Sequence, residues 1–254
     1  MKNAYFISHN GLGDNITNIG AVNFLLQYYD TIYFLCKDIY QSNVIKLFET
    51  KSVVTIPFDS QNEFLHCKTI LSNADTNDDL FVSGGHKGLS SSRITHSELL
   101  KYKKNVNPIP VKYNHIHMFY DDIGLDTDIY VNYFDIQSTE QSLQRYHAIQ
   151  HYNIIFLHTQ ASNRKIQLTS IIDKYKDQED YIIICADENV YLKEDSKYSI
   201  ANQYINLLIY EYIDVIKNAT SIHIVDSCFA CIVYPLLLSN SKRLHSEDVH
   251  IYDR

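Results

Sequence analysis

Five short stretches of this sequence carry residue types that could do chemistry, and each follows an apolar run of strand length. In "HNGLGDNIT", Gly11 and Gly13 allow a tight turn and close backbone approach, with Asp14 directly behind them. A dinucleotide fingerprint needs a third glycine where Ile16 stands, and a carboxylate at that point repels phosphate. Asp14 therefore either caps the following helix or takes a proton from a substrate hydroxyl. "VSGGHKG" (82–88) offers His86 and Lys87 in a glycine loop, or simply a solvated turn. "HTQASNRK" (158–165) sets Arg164 and Lys165 just past a strand end, where two cations suit a diphosphate or make an ordinary charged loop. "ADENV" (186–190) places Asp187 and Glu188 where a carboxylate could bind ribose hydroxyls or close a turn. In "HIVDSCFA" (223–230), Asp226 and Ser227 precede a helix whose first N–H groups make an anion site. Those two residues could equally be its cap.

The elements that must position these loops alternate strand and helix. "AYFIS" (4–8), "TIYFLC" (31–36), "SVVTIPF" (52–58) and "DLFVSG" (79–84) read as strands of a first half. Ile16, Ile19, Val22 and Leu26 recur at helical spacing, "NVIKLFE" (43–49) is a short helix, and a helix over 115–123 ends at Gly124. A polar, Gln-rich segment (135–152) reads as a surface helix or linker, so the domain boundary is placed at 145/146. The second half repeats the alternation, with strands at 153–159, 181–187, 221–226 and 249–252 and helices at 168–175, 206–219 and 227–238. Apolar strands joined by crossover helices predict parallel sheets covered on both faces. Two such units in tandem imply a central cleft faced by the carboxyl ends of their strands, where ligands of open α/β sheets bind.

Composition narrows the partners. The chain has 254 residues, a net charge of −8 and no stripe of Lys and Arg, which argues against nucleic acid. No apolar run reaches the ~20 residues of a membrane span, and the N-terminal run is too short for a signal peptide. Five cysteines, mostly in apolar runs, read as buried free thiols of a reducing, cytoplasmic compartment. Abundant tyrosine and no tryptophan suit an AT-rich genome, viral (hence host cytoplasm) or low-GC microbial. Cys228 and Cys231 have a CxxC spacing, but no second pair follows at zinc-ligand distance.

Taken together and in order, "GLGD", "HMFYDDIGLD", "LHTQASNRKI" and "IHIVDSCFA" resemble the signatures of GT-B glycosyltransferases of the heptosyltransferase-like kind, and of uncharacterised GT-B-like proteins of phages, large viruses and bacteria. That resemblance implies two Rossmann-like domains, an acceptor domain at 1–145 and a nucleotide-sugar donor domain at 146–254. It implies an inverting, metal-independent transfer from a nucleotide-diphospho-sugar to a glycan hydroxyl, with no further cofactor and with Asp14 as general base. Asn10, Gly11, Gly13, Asn15 and His86 then lie on the acceptor or sugar side. His158, Arg164, Lys165, Asp187, Asp226, Ser227, Cys228 and Phe229 form the nucleotide side. No Asp-x-Asp pair stands in a GT-A setting, and "DTD" (126–128) reads as a loop. The alternatives are a glycan- or nucleotide-binding protein on the same fold, which has no need of Asp14, and a sugar-nucleotide epimerase, which needs no acceptor.

Overall fold

The computed structural model describes residues 2–8, 11–49, 51–75, 77–84, 114–239, 244 and 246–253. The chain divides into two compact units, Met1–Gln137 and Ser138–Arg254. The division falls ahead of the polar helix that the sequence places across the boundary, so that helix belongs whole to the second unit.

The first unit runs β1 (Asn3–Ser8), α1 (Leu12–Thr17), α2 (Ile19–Leu25), β2 (Thr31–Lys37), α3 (Gln41–Leu47), β3 (Val53–Phe58), α4 (Glu63–Ser72), β4 (Asp79–Ser83), α5 (Asn114–Asp122) and α6 (Asp128–Asn132). Its strands form one parallel sheet in the order β3-β2-β1-β4. The register places Phe6 beside Phe34 and Phe81, and their buried rings stack 5.4 and 6.3 Å apart across three strands. Such cross-strand aromatic pairs hold register as well as burying area. At the amino end of the sheet the fully buried Asp79 meets the Lys2 ammonium at 2.9 Å and the Tyr29 hydroxyl at 2.5 Å.

Gly20 marks where α2 passes closest to its neighbours. A Cβ there would sit 2.8 Å from the Ile129 carbonyl oxygen and 2.9 Å from that of Tyr130 and from the Tyr120 hydroxyl. Backbone carbonyls cannot swing aside. Gly20→Ala is therefore expected to cost roughly 2 kcal/mol despite the better helix propensity of alanine, read as a lower urea midpoint. α5 stops at Gly124, whose φ of 72° lies in the left-handed region that glycine reaches without strain. The Asp126–Asp128 stretch starts α6: Asp128 N–H donates to Asp126 Oδ1 at 3.1 Å.

The second unit runs α7 (Glu140–Ile149), β5 (Asn153–His158), β6 (Gln160–Ala161), β7 (Arg164–Lys165), α8 (Thr169–Tyr175), β8 (Tyr181–Cys185), α9 (Tyr198–Ala201), α10 (Ile213–Lys217), β9 (Ser221–Val225), α11 (Cys228–Leu238) and β10 (Val249–Tyr252). The main sheet is parallel, in the order β10-β9-β5-β8, and β6 and β7 make a small antiparallel ribbon. The single helix expected over 206–219 is instead a 3-10 turn, Ile209–Tyr212, running into the short α10. The Tyr212 hydroxyl donates to the Tyr204 carbonyl at 2.5 Å and accepts from Leu207 N–H at 3.0 Å, which fixes the preceding segment outside a helix. The start of α7 is stitched to α10. Thr139 and Ser142 cap each other reciprocally, while the Ser138 hydroxyl donates to Asp214 Oδ1 at 2.6 Å and the Ser142 hydroxyl to its Oδ2.

His223, on β9, is buried, with Nε2 3.0 Å from Ser221 Oγ and its ring stacked 4.6 Å from His250 on β10. Burial first, then His250 and Lys174, push its pKa down to about 4. The unfolded chain therefore binds the extra proton between pH ~6.5 and 4, and stability falls as pH drops through that window. Allowing for solvent screening, the loss from this residue is roughly 1–2 kcal/mol by pH 4.5. Urea unfolding of His223→Gln at pH 7 and 4.5 is expected to show a shallower acid slope than wild type.

Candidate functional site

In the first sheet the chain moves outward from β1 through β2 to β3 and then returns to β4 on the other side of β1. The carboxyl ends of β1 and β4 are thus the topological switch point, the usual ligand position in an open α/β sheet. Three polar residues, Ser8, Asn18 and Ser83, are wholly buried there. Asn18 Nδ2 donates to Ser8 Oγ at 3.1 Å and to the Asp14 carbonyl at 2.9 Å, and its Oδ1 accepts from Ser83 Oγ at 2.7 Å. One amide thus ties both strand ends to the turn that carries Asp14. Beside it, Tyr120 Oη donates to the Thr17 carbonyl at 2.9 Å, and Gly84 N–H donates to Asp122 Oδ2 at 2.9 Å.

Gly11 is the extended N-cap of α1, and Asp14 sits at the third helical position. Asp14 Oδ2 accepts the Gly11 N–H at 2.6 Å. The carboxylate is therefore a cap partner inside the first turn, half-buried. Asn15 Nδ2 donates to the Gly11 carbonyl at 2.8 Å, while its buried Oδ1 has no hydrogen-bond partner among the described residues. Thr17 Oγ1 donates to the Gly13 carbonyl at 3.0 Å. Asn10 and His86 lie outside the described residues.

In the second sheet the switch point falls between β5 and β9. His158 ends β5, and Ser227 opens the turn from β9 into α11. Ser227 Oγ lies 3.0 Å from His158 Nδ1, and His158 Nε2 lies 3.4 Å from Asp187 Oδ1. Asp187 Oδ2 accepts from the N–H groups of Thr159 at 2.5 Å and Gln160 at 3.2 Å and from Thr159 Oγ1 at 3.1 Å. The Phe229 ring packs 4.5 Å from the imidazole. Burial lowers the His158 pKa, and Asp187 pulls the other way without overcoming it. The Ser227 hydroxyl turns to His158 and does not cap its own helix. Burial pushes the Cys228 thiol up to about 11, against the pull of the Phe229 N–H and the Ser227 hydroxyl.

Arg164 and Lys165 lie on β7, exposed. Lys165 pairs with Glu188 at 2.8 Å, and Arg164 donates to the Asp253 carbonyl. Asp226 continues from β9, its N–H donating to the Tyr252 carbonyl at 2.8 Å. The structure thus joins His158, Asp187, Ser227 and Phe229 in one cluster and sets Arg164 and Lys165 on a separate ribbon. Sequence reasoning missed Asn18, Ser8 and Ser83. The available signal was Asn18 lying one helical turn beyond Asp14, on the same face. Among the described residues no group of three His, Cys, Asp or Glu side chains is placed to hold a metal ion, and no helix is long and apolar enough to cross a membrane.

The chain is similar in structure to the glycosyl transferase family 9 protein of Veillonella parvula DSM 2008, with a TM-score of 0.58 and 9% identity over 100% of this chain and 86% of that one. The fold is that of the GT-B glycosyltransferases. The E. coli heptosyltransferase WaaC with ADP shares it at a TM-score of 0.53 and 9% identity, over 100% of this chain and 91% of that one. The E. coli ADP-heptose lps heptosyltransferase II does so at 0.53 and 11% identity, over 99% and 90%. No protein-family model and no curated protein matches the chain. The GT-B fold accounts for both switch points and for the two parallel sheets built around them.

Proposed function

We propose that this chain is a glycosyltransferase that moves a sugar from a nucleotide-diphospho-sugar to a glycan hydroxyl. The observation that carries the reading is the turn from β9 into α11, where Ser227 and the first N–H groups of an eleven-residue helix stand at the switch point of a sheet with GT-B topology. Helix N-termini favour anions, and a leaving diphosphate is one. Two of the similar structures are described as containing ADP or an ADP-sugar analogue. Arg164 adds positive charge on the same unit, and Lys165 can exchange its Glu188 partner for phosphate, so that the departing diphosphate is supported without a metal. Asp14 accepts the acceptor's proton, and a single displacement inverts the anomeric carbon.

Asp187 takes a different place from the one its strand-end position suggests. Its three hydrogen bonds and its 3.4 Å contact with His158 hold the loop after β5, so it shapes the nucleotide side rather than binding ribose itself. The test is a thermal-shift screen with UDP, GDP, dTDP, ADP and CMP, with and without magnesium. A ligand that binds only the folded chain raises Tm by mass action. The expected result is a rise with one diphosphate that does not require magnesium, and no rise with any of them counts against a donor site.

One observation favours a second reading. Asp14 is already engaged as a cap by the Gly11 N–H, as it would be in a protein that binds glycans or nucleotides without turning them over.

A further inference from the structure

We infer that Asp187, His158 and Ser227 form a proton-linked latch, in which a diphosphate docking at Ser227 draws one proton from solvent onto His158. This rests on the reading of the α11 turn as the diphosphate site.

Asp187 is the fixed end of this cluster. Three donors fill its Oδ2, so the carboxylate is an anchored acceptor. Its Oδ1 lies 3.4 Å from His158 Nε2, and the negative charge there favours the tautomer with the hydrogen on that nitrogen. In the neutral ring Nδ1 is then the acceptor, and Ser227, 3.0 Å away, must be the donor. In that state the Ser227 hydrogen is committed to the imidazole and is not available to an anion.

An arriving phosphate oxygen needs that hydrogen. If Ser227 turns it outward, Nδ1 and Oγ face each other lone pair to lone pair at the same separation. A proton taken up from solvent by Nδ1 removes the conflict. Nδ1–H then donates to Oγ, Oγ–H donates to phosphate, and Nε2–H still faces the Asp187 carboxylate. No bond to carbon is made or broken. The site gains one positive charge as the ligand brings negative charge, and the imidazolium stands between two anions.

The surroundings admit this cation. The ring contacts Asp187 from the loop after β8 and the Phe229 ring on α11; the Tyr212 phenol packs 5.3 Å from Phe229, and the Cys228 thiol stands between Ser227 and Phe229 in the chain, within reach of the Asp187 charge. Asp226 precedes Ser227 in the chain, and Glu188, which follows Asp187, is paired with Lys165. Carboxylates attract an imidazolium, and burial keeps the thiol and phenol neutral.

The experiment is titration calorimetry of the full chain with ADP, UDP, GDP and dTDP, run in HEPES and in Tris at pH 7.5 and repeated between pH 6 and 8. For the diphosphate that binds, the difference between buffers gives the protons taken up. The expected result is uptake approaching one proton per ligand. Affinity is expected to tighten by up to about a hundredfold from pH 8 to pH 6, roughly tenfold per pH unit for each proton taken up, measured relative to His158→Gln because the ligand's own phosphate titrates near 6. His158→Gln is expected to bind without the uptake. If that variant fails to fold, Ser227→Ala tests the same point, because it removes the hydroxyl that couples ring to ligand. Binding by wild type with no uptake, or uptake unchanged in either variant, overturns the latch. Binding of none of the four to wild type overturns the donor-site reading with it, and is a separate result.

Discussion

Asp14→Asn is expected to lower sugar transfer about 100-fold or more while leaving nucleotide affinity and fold nearly unchanged. The expectation follows from what asparagine keeps and what it loses. The carboxylate oxygen that accepts the Gly11 N–H at 2.6 Å is replaced by an amide oxygen of the same reach, so the first turn of α1 stays capped. The stability cost is then well under the ~1 kcal/mol of a lost cap. The capacity to take up a proton is gone, and a general base typically contributes 10²–10⁴ in rate. The measurement is kcat beside Tm and nucleotide Kd, on the donor that the thermal screen selects. A variant with wild-type kcat makes Asp14 a cap and nothing more. A chain with no turnover to lose, whose ligand affinity survives the change, is the binding protein of the second reading.

Lys2→Met is expected to destabilise the first unit by about 3 kcal/mol, the largest effect on stability anticipated here. Asp79 is buried at the amino end of β4, and Lys2 stands 2.9 Å from it. Methionine retains the apolar stem but removes the ammonium from a buried carboxylate that also accepts the Tyr29 hydroxyl at 2.5 Å. A hydroxyl solvates a buried anion without compensating its charge. Burial and the same carboxylate already hold the Tyr29 pKa above its ordinary value. Urea unfolding at neutral pH is the measurement. A loss below about 1 kcal/mol would place this pair with exposed ion pairs, which contribute little.

Much of the architecture was legible, because the strands are apolar runs of strand length with little else to be. "NIIFLH" and "YIIIC" have no helical period and lie between polar turns, and they are β5 and β8. α4 escaped notice because, of its ten residues, only Cys67 is buried, which leaves almost no periodic stripe to read. The β6–β7 ribbon was illegible for a related reason: two-residue strands of polar character carry no pattern. At the site, strand-end position pointed to Asp187 and Ser227, and the family resemblance added His158. Their mutual hydrogen bonds were not legible, since which oxygen meets which nitrogen depends on loop paths no local pattern encodes. The same limit hid Asn18, which reads as one more polar residue between two helices and in fact binds two strands that end 75 residues apart in sequence (83 − 8).

The Asp214 latch also bears on recombination. Its two serine partners, Ser138 and Ser142, lie at the very start of the second unit, ahead of the boundary that composition alone suggests. A hybrid spliced between residues 137 and 138 carries the carboxylate and both hydroxyls from one parent. A crossover at 145/146 takes α7's first turn from one parent and Asp214 from the other, leaving a buried carboxylate to find new donors. Nature or an engineer exchanging the second unit of such a chain would find the tolerant junction before α7, not within it.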